Sequence, residues 1–143
     1  MPYTDFDSVL GEAVLDHLNA WEDKPCELSL EFPARAPIRY AMAMQPLSGS
    51  VYIRRYVDGS GICGWPFAVL VRFTNADDGK RLAAPGILMS LLAFLKTAPL
   101  PDLGEGRVAN YFEMTAQPAV SARYEDGTMD YQAVYRLVYT ERT

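Results

Sequence analysis

Between Ser48 and Thr74 the chain alternates in side-chain character on both sides of the tetrapeptide Asp58-Gly59-Ser60-Gly61. Val51, Ile53 and Val57 fall on one face of the incoming segment, with Tyr52, Arg54 and Tyr56 on the other. Phe67, Val69, Val71 and Phe73 then line one face of the return. A period of two places successive side chains on opposite faces of a strand, so this stretch predicts one long antiparallel hairpin. Asp-Gly tolerates the positive φ of a tight turn, and the second glycine leaves room for a bulge or a longer loop. The grammar returns near the C-terminus, where Arg123-Tyr124-Glu125-Asp126-Gly127-Thr128 echoes Arg55-Tyr56-Val57-Asp58-Gly59-Ser60. A single echo reads as two hairpins with similar turn chemistry rather than as a repeat.

Before the hairpin, Phe6, Val9, Leu10, Ala13, Val14, Leu18 and Trp21 recur at helical spacing. Thr4 or Asp5 can cap that helix, and Asp5 and Asp7 suit its positive N-terminal end. His17 lies beside the stripe and reads as a packing residue. Residues Cys26 to Phe32 alternate as a half-buried strand that Pro33 stops, Ala34 to Pro37 form a proline-bounded link, and Tyr40 to Met44 fit another strand. Pro66 cannot donate to a ladder, so the start of the return arm reads as an edge or a bulge.

After the hairpin, Asn75 to Asp78 supply caps for a second helix that runs to about Lys96, with Leu82, Ile87, Leu88, Leu91, Leu92 and Leu95 on its apolar face. Pro85-Gly86 either kinks that helix or restarts it, and the kink is the reading adopted. A turn-rich loop from Ala98 to Gly106 leads into a strand over Val108 to Thr115, which Pro118 punctuates. The last hairpin pairs roughly Val120 to Tyr124 with Tyr131 to Tyr139. Helix, strands, helix, strands predicts an α+β fold: a mainly antiparallel sheet with two helices packed on one face and extended hairpin loops.

At 143 residues the chain suits one domain, residues 1–143, with a core that needs no staples. Half its residues are hydrophobic, which argues against global disorder. A net charge of -5 disfavours sequence-independent attraction to nucleic acid or anionic membrane. Cys26 and Cys63 read as buried free thiols. The segment Met1 to Asp5 lacks a signal peptide's basic region, and no apolar run reaches the roughly 18 residues of a membrane span. A reducing, soluble compartment is the expectation.

A search for chemistry returns little. One histidine and no G-x-S-x-G leave a nucleophile without its base, and no H-E-x-x-H, paired C-x-x-C or EF-hand loop offers a metal set. Gly104-Glu105-Gly106-Arg107 lacks the phosphate-loop pattern. Glu125, Asp126 and Asp130 could hold Mg²⁺, but a solvated turn is the better reading. Arg54, Arg55, Arg123 and Arg136 alternate with tyrosines, which suits cross-strand pairing or a protein interface better than base stacking. These features describe a non-catalytic domain without cofactor or metal. An intracellular small-ligand-binding or small enzymatic domain is the alternative.

Four segments carry a resemblance: Gly49 to Ser60, Trp65-Pro66-Phe67, Asp77 to Leu82, and Ala122 to Ala133. Together they resemble the small minor capsid proteins of tailed phages and prophages, in particular tail terminators, the head-to-tail joining proteins of long-tailed phages. The similarity covers most of the chain after Gly49, and Pro85-Gly86 departs from it. It implies a virion protein of the neck, assembled in the host cytoplasm, whose homo-oligomer is a ring of six that caps the tail tube. One face would meet the tail tube protein and the other the head completion or connector protein, while DNA passes without specific binding. The interface it implies comprises the loops Asp58 to Gly61, Leu100 to Gly106 and Asp126 to Met129 and the hairpin arms beside them, with Arg54, Tyr56, Asp58, Gly59, Trp65, Leu103, Arg123, Tyr124, Asp126 and Tyr131 as the candidate contact residues.

Overall fold

The computed structural model describes residues 3–30, 40–73 and 78–142, with side chains described from residue 9 in the first helix and from residue 83 in the second. Its elements run α1 (Tyr3–Asn19), β1 (Leu28–Ser29), β2 (Tyr40–Pro46), β3 (Val51–Arg55), β4 (Gly61–Phe73), α2 (Asp78–Thr97), β5 (Arg107–Arg123) and β6 (Met129–Glu141). The sheet order is β1-β2-β4-β6-β5, with β3 also paired to β4. All pairings are antiparallel except the short β1–β2 contact. This is the expected α+β architecture.

β4 and β6 form the centre, paired without a break from Gly61↔Glu141 to Phe73↔Met129. Residues opposite one another share a face, so Trp65, Phe67, Val69, Val71 and Phe73 lie beside Leu137, Tyr135, Ala133, Tyr131 and Met129. Both helices cover this face. Tyr135 Oη donates to the Leu88 carbonyl of α2 at 2.8 Å, and Trp65 reaches within 4.0 Å of the point where a Cβ on Gly11 of α1 would stand. Leu10, Val14 and Leu18 of α1 and Ala84, Leu88, Leu91 and Leu95 of α2 are buried against it. Each large aliphatic or aromatic side chain so buried stabilises the fold by about 1.5–3 kcal/mol relative to an exposed one. Phe67 stacks on Tyr135 and meets Phe112 edge-on.

Several expectations change once neighbours are present. Residues 31–39 and 74–77 lie outside the described residues, so the end of the Cys26 to Phe32 strand, the Ala34 to Pro37 link and most of the caps for α2 do too, as do the side chains of Phe6 and Leu82. What is described of the first strand is Leu28–Ser29, where Asn19 clasps Leu28 by accepting from its N–H (2.8 Å) and donating to its carbonyl (3.0 Å). Val9, placed on the buried stripe of α1, is half exposed. α2 is one helix through Pro85 rather than a restarted one.

Pro66 sits in a central strand, not an edge. β2 and β3 lie end to end along the same side of β4, and the run is broken between Pro46↔Phe67 and Val51↔Gly64. The Pro66 carbonyl points to that side and accepts from Leu47 N–H at 3.3 Å, so the absent donor also faces the break and the β4–β6 ladder loses nothing. Pro118 does not end a strand either. β5 is continuous from Arg107 to Arg123, and Pro118 falls in one of its register shifts, between Ala116 and Ala119. An edge strand with a bulge tolerates that residue.

His17 packs between Phe94 (centroids 5.2 Å) and Phe112 (5.5 Å, nearly parallel), and its buried Nε2 has no hydrogen-bond partner among the described residues. Burial pushes its imidazole below the ordinary value of 6.5. The unfolded chain therefore binds a proton more readily, and stability falls as pH drops through about 6.5. Asp58 and Asp126 are held low instead, so their contribution persists above about pH 4 and is lost only below it. Thermal melts between pH 7.5 and 5 should show a falling melting temperature that His17→Gln flattens, leaving any loss below pH 4 in place.

Candidate subunit interface

Both hairpin tips are built the same way. Tyr56 N–H donates to Ser60 O (2.8 Å) and Gly59 N–H to Tyr56 O (3.1 Å); Tyr124 N–H donates to Thr128 O (2.9 Å) and Gly127 N–H to Tyr124 O (3.2 Å). Asp58 Oδ1 accepts from Ser60 N–H at 3.0 Å and Asp126 Oδ1 from Thr128 N–H at 2.9 Å. These bonds, led in Asp58 by the one from the Ser60 hydroxyl and in Asp126 by the one from the Thr128 backbone, hold both carboxyls below their usual range. Gly59 and Gly127 take φ of 91° and 89°, where a β-carbon would be strained. Each tip is thus a three-residue loop closed by a left-handed glycine. The sequence echo is a structural one at the level of the turn.

The two tips point away from each other. The Asp58 tip extends beyond the Gly61↔Glu141 pair and the Asp126 tip beyond Phe73↔Met129, so the thirteen-residue β4 separates them by about 40 Å at roughly 3.3 Å per residue. The loop Leu100 to Gly106 joins the first end, where Gly106 O accepts from Arg142 N–H at 2.7 Å. It is pinned by Leu103, which is 3% exposed.

Of the ten residues expected at an interface, Arg54, Tyr56, Asp58 and Gly59 are exposed at one end and Arg123, Tyr124 and Asp126 at the other. Three are placed differently. Trp65 is 0% exposed because its parity on β4 turns it under α1, and Leu103 anchors its loop from within the core. Tyr131 is half buried, stacked on Phe73 at 6.0 Å. The resemblance put Trp65 and Leu103 at the interface through their place along the chain, which carries no information about facing.

β3 is exposed along its whole length, and a bulge between Tyr52 and Arg54 breaks its alternation. Val51 pairs with Gly64 and Arg54 with Ile62, so these two side chains share a face that strict alternation would separate. Gly61 is needed for close approach: a Cβ there would meet the Arg54 carbonyl and the Tyr52 ring at 2.9 Å. Tyr52 in turn carries Arg55 over its ring at 4.5 Å and donates to Glu141 Oε2 at 3.0 Å, while Cys63 Sγ donates to the same oxygen at 3.6 Å. Burial and that carboxylate push the Cys63 thiol up, which makes it a poor nucleophile. Cys26 and Cys63 are both free. Arg136 pairs with Glu113 across β6 and β5, the cross-strand use expected of the strand arginines.

At the second end the acidic turn divides. Glu125 and Asp126 are solvated as expected, but Asp130 is 2% exposed. Arg72 Nε and Nη2 grip its two oxygens at 2.8 and 3.0 Å, and Tyr124 Oη donates to Oδ2 at 2.9 Å while accepting from Arg72 Nη2. The Arg72↔Asp130 register makes the pair neighbours, and only knowledge of that register reveals it. The network fixes the root of the Asp126 tip. Compared with known proteins, the chain matches no family model and no curated sequence. None of the helices among the described residues is long and apolar enough to cross a membrane.

Asp130→Asn leaves Arg72 without its bidentate partner. It should cost about 2–3 kcal/mol in urea unfolding, below the full cost for a buried pair because Arg72 is partly solvated. Tyr124→Phe removes two hydrogen bonds of this partly exposed network and should cost about 1–2 kcal/mol.

Proposed function

We propose that this chain is a structural virion subunit of a long-tailed phage or prophage, a tail terminator that closes into a ring, of six copies, between the tail tube and the head connector. The observation that carries the reading is the pair of matched, rigidly built tips at opposite ends of one long ladder. A subunit in such a ring must meet different partners at its two ends, and it needs stiff features there rather than a cleft. The exposed β3 and the tips supply apolar and aromatic surface: Val51, Tyr52, Ile53, Tyr56, Val57 and Tyr124 are all exposed. Scattered single apolar residues are ordinary, but a run of them on one arm has the character of a contact surface. The net charge of -5 suits a channel through which DNA passes without adhering.

Mass measurement in solution joined to negative-stain imaging tests this. The expected result is an annulus of six copies, by itself or on addition of tail tubes. Removing 58–61 should leave a folded chain, by circular dichroism, that fails to complete infectious particles. A chain that stays single with and without tail tubes, and whose melting temperature responds to a small molecule, would overturn the reading in favour of a ligand-binding or enzymatic domain.

A further inference from the structure

Val57 stands at the crown of the first tip with a relative exposure of 108%, more than the reference for an isolated residue. No described residue covers it, and Tyr56 beside it is also exposed. At the opposite edge of the sheet, the last turn of α2, the loop after it and the first half of β5 line an open cavity of about 640 Å³. Leu95, Pro99, Leu100 and Phe112 give it an apolar wall, and Lys96 stands on its rim. Lys96 is exposed and forms no ion pair among the described residues.

The knob and the hollow cannot meet within one chain. β3 lies on one side of the β4–β6 pair and β5 on the other, so three strand spacings, about 14 Å, separate them across the sheet. Both belong to the half of the sheet that ends at Gly61↔Glu141: Tyr111 and Phe112 pair with Val138 and Leu137, and the Val57 tip projects past Gly61, about five residues or roughly 16 Å further along the strands. An apolar projection on one edge and an apolar hollow on the opposite edge, offset along the strands, are the complementary halves that a heterologous contact between tilted copies needs, and such a contact closes into a ring when the rotation per copy permits.

We infer that the occupant of this cavity is the Val57 tip of a second copy, with Val57 seated among Leu100, Pro99 and Phe112 and the Asp58 carboxylate beside Lys96 of its neighbour. Charge complementarity selects this occupant: an anionic residue follows the apolar knob, and a cation rims the apolar hollow. The inference rests on the ring reading and specifies its subunit contact.

Two variants of the full chain test it, Val57→Asp and Leu100→Asp, each at an exposed position and each checked by circular dichroism for an unaltered fold. Each should abolish the annulus and run as a single copy, whereas Val57→Leu should retain it. Mixed in equal amounts, the two aspartate variants should form a two-chain particle and nothing larger, because only the intact tip of one and the intact cavity of the other remain. Annuli that survive either aspartate substitution, or a mixture that behaves as the sum of its parts, would overturn this contact while leaving a ring standing. A wild-type chain that never associates would overturn the contact and the ring together.

Discussion

The uninterrupted pairing of β4 with β6 is what the remainder of the molecule depends on. Because thirteen consecutive residues of β4 keep one register, their odd-numbered side chains from Cys63 to Phe73 form a single apolar column, and the two helices have one continuous surface to cover. A one-residue slip would send that column to the opposite face and expose every aromatic ring in it. The register also brings Arg72 to Asp130 and sets the distance between the two tips. Packing, electrostatics and the spacing of the outward features therefore share one determinant.

Around that axis the flanks are less regular, and each irregularity has a local cause. Pro66 interrupts the run of β2 and β3 because it offers no donor on their side of β4. The bulge in β3 lets Arg55 lie over Tyr52 while Tyr52 reaches Glu141, joining the arm to the end of β6. Asn19 binds the end of α1 to β1 by both polar groups of Leu28. These contacts tie peripheral segments to the central pair without adding to the apolar core.

Much of the architecture was legible because periodicity reports facing directly. The column Phe67 to Phe73, the face of β6 from Ala133 to Tyr139 and the Leu88, Leu91, Leu95 stripe of α2 all follow from spacing and are buried as their spacing demands, while Tyr131 at the start of β6 is half buried. The two Asp-Gly turns were legible too, since their backbone requirement is local. What sequence could not supply was anything set by a neighbouring strand. Pro118 reads as a terminator until β5 is known to be a bulged edge, and Asp130 reads as part of a solvated turn until Arg72 stands opposite it. Trp65 and Leu103 sit next to turns in the chain, yet tertiary packing takes both inside. Tyr56, Asp58, Tyr124 and Asp126 could be placed on the surface because crowns of hairpins have nowhere else to go.

β5 is long, largely exposed and, among the described residues, unpaired on its outer side, the profile of a strand that recruits others and grows into fibres. Its register shifts before Tyr111, Ala116, Ala119 and Ala122, together with the missing N–H of Pro118, disrupt the even row of donors and acceptors that such growth requires. Open-ended polymerisation along this margin is thereby discouraged, and the chain can hold a great deal of extended backbone at its periphery while remaining a discrete particle.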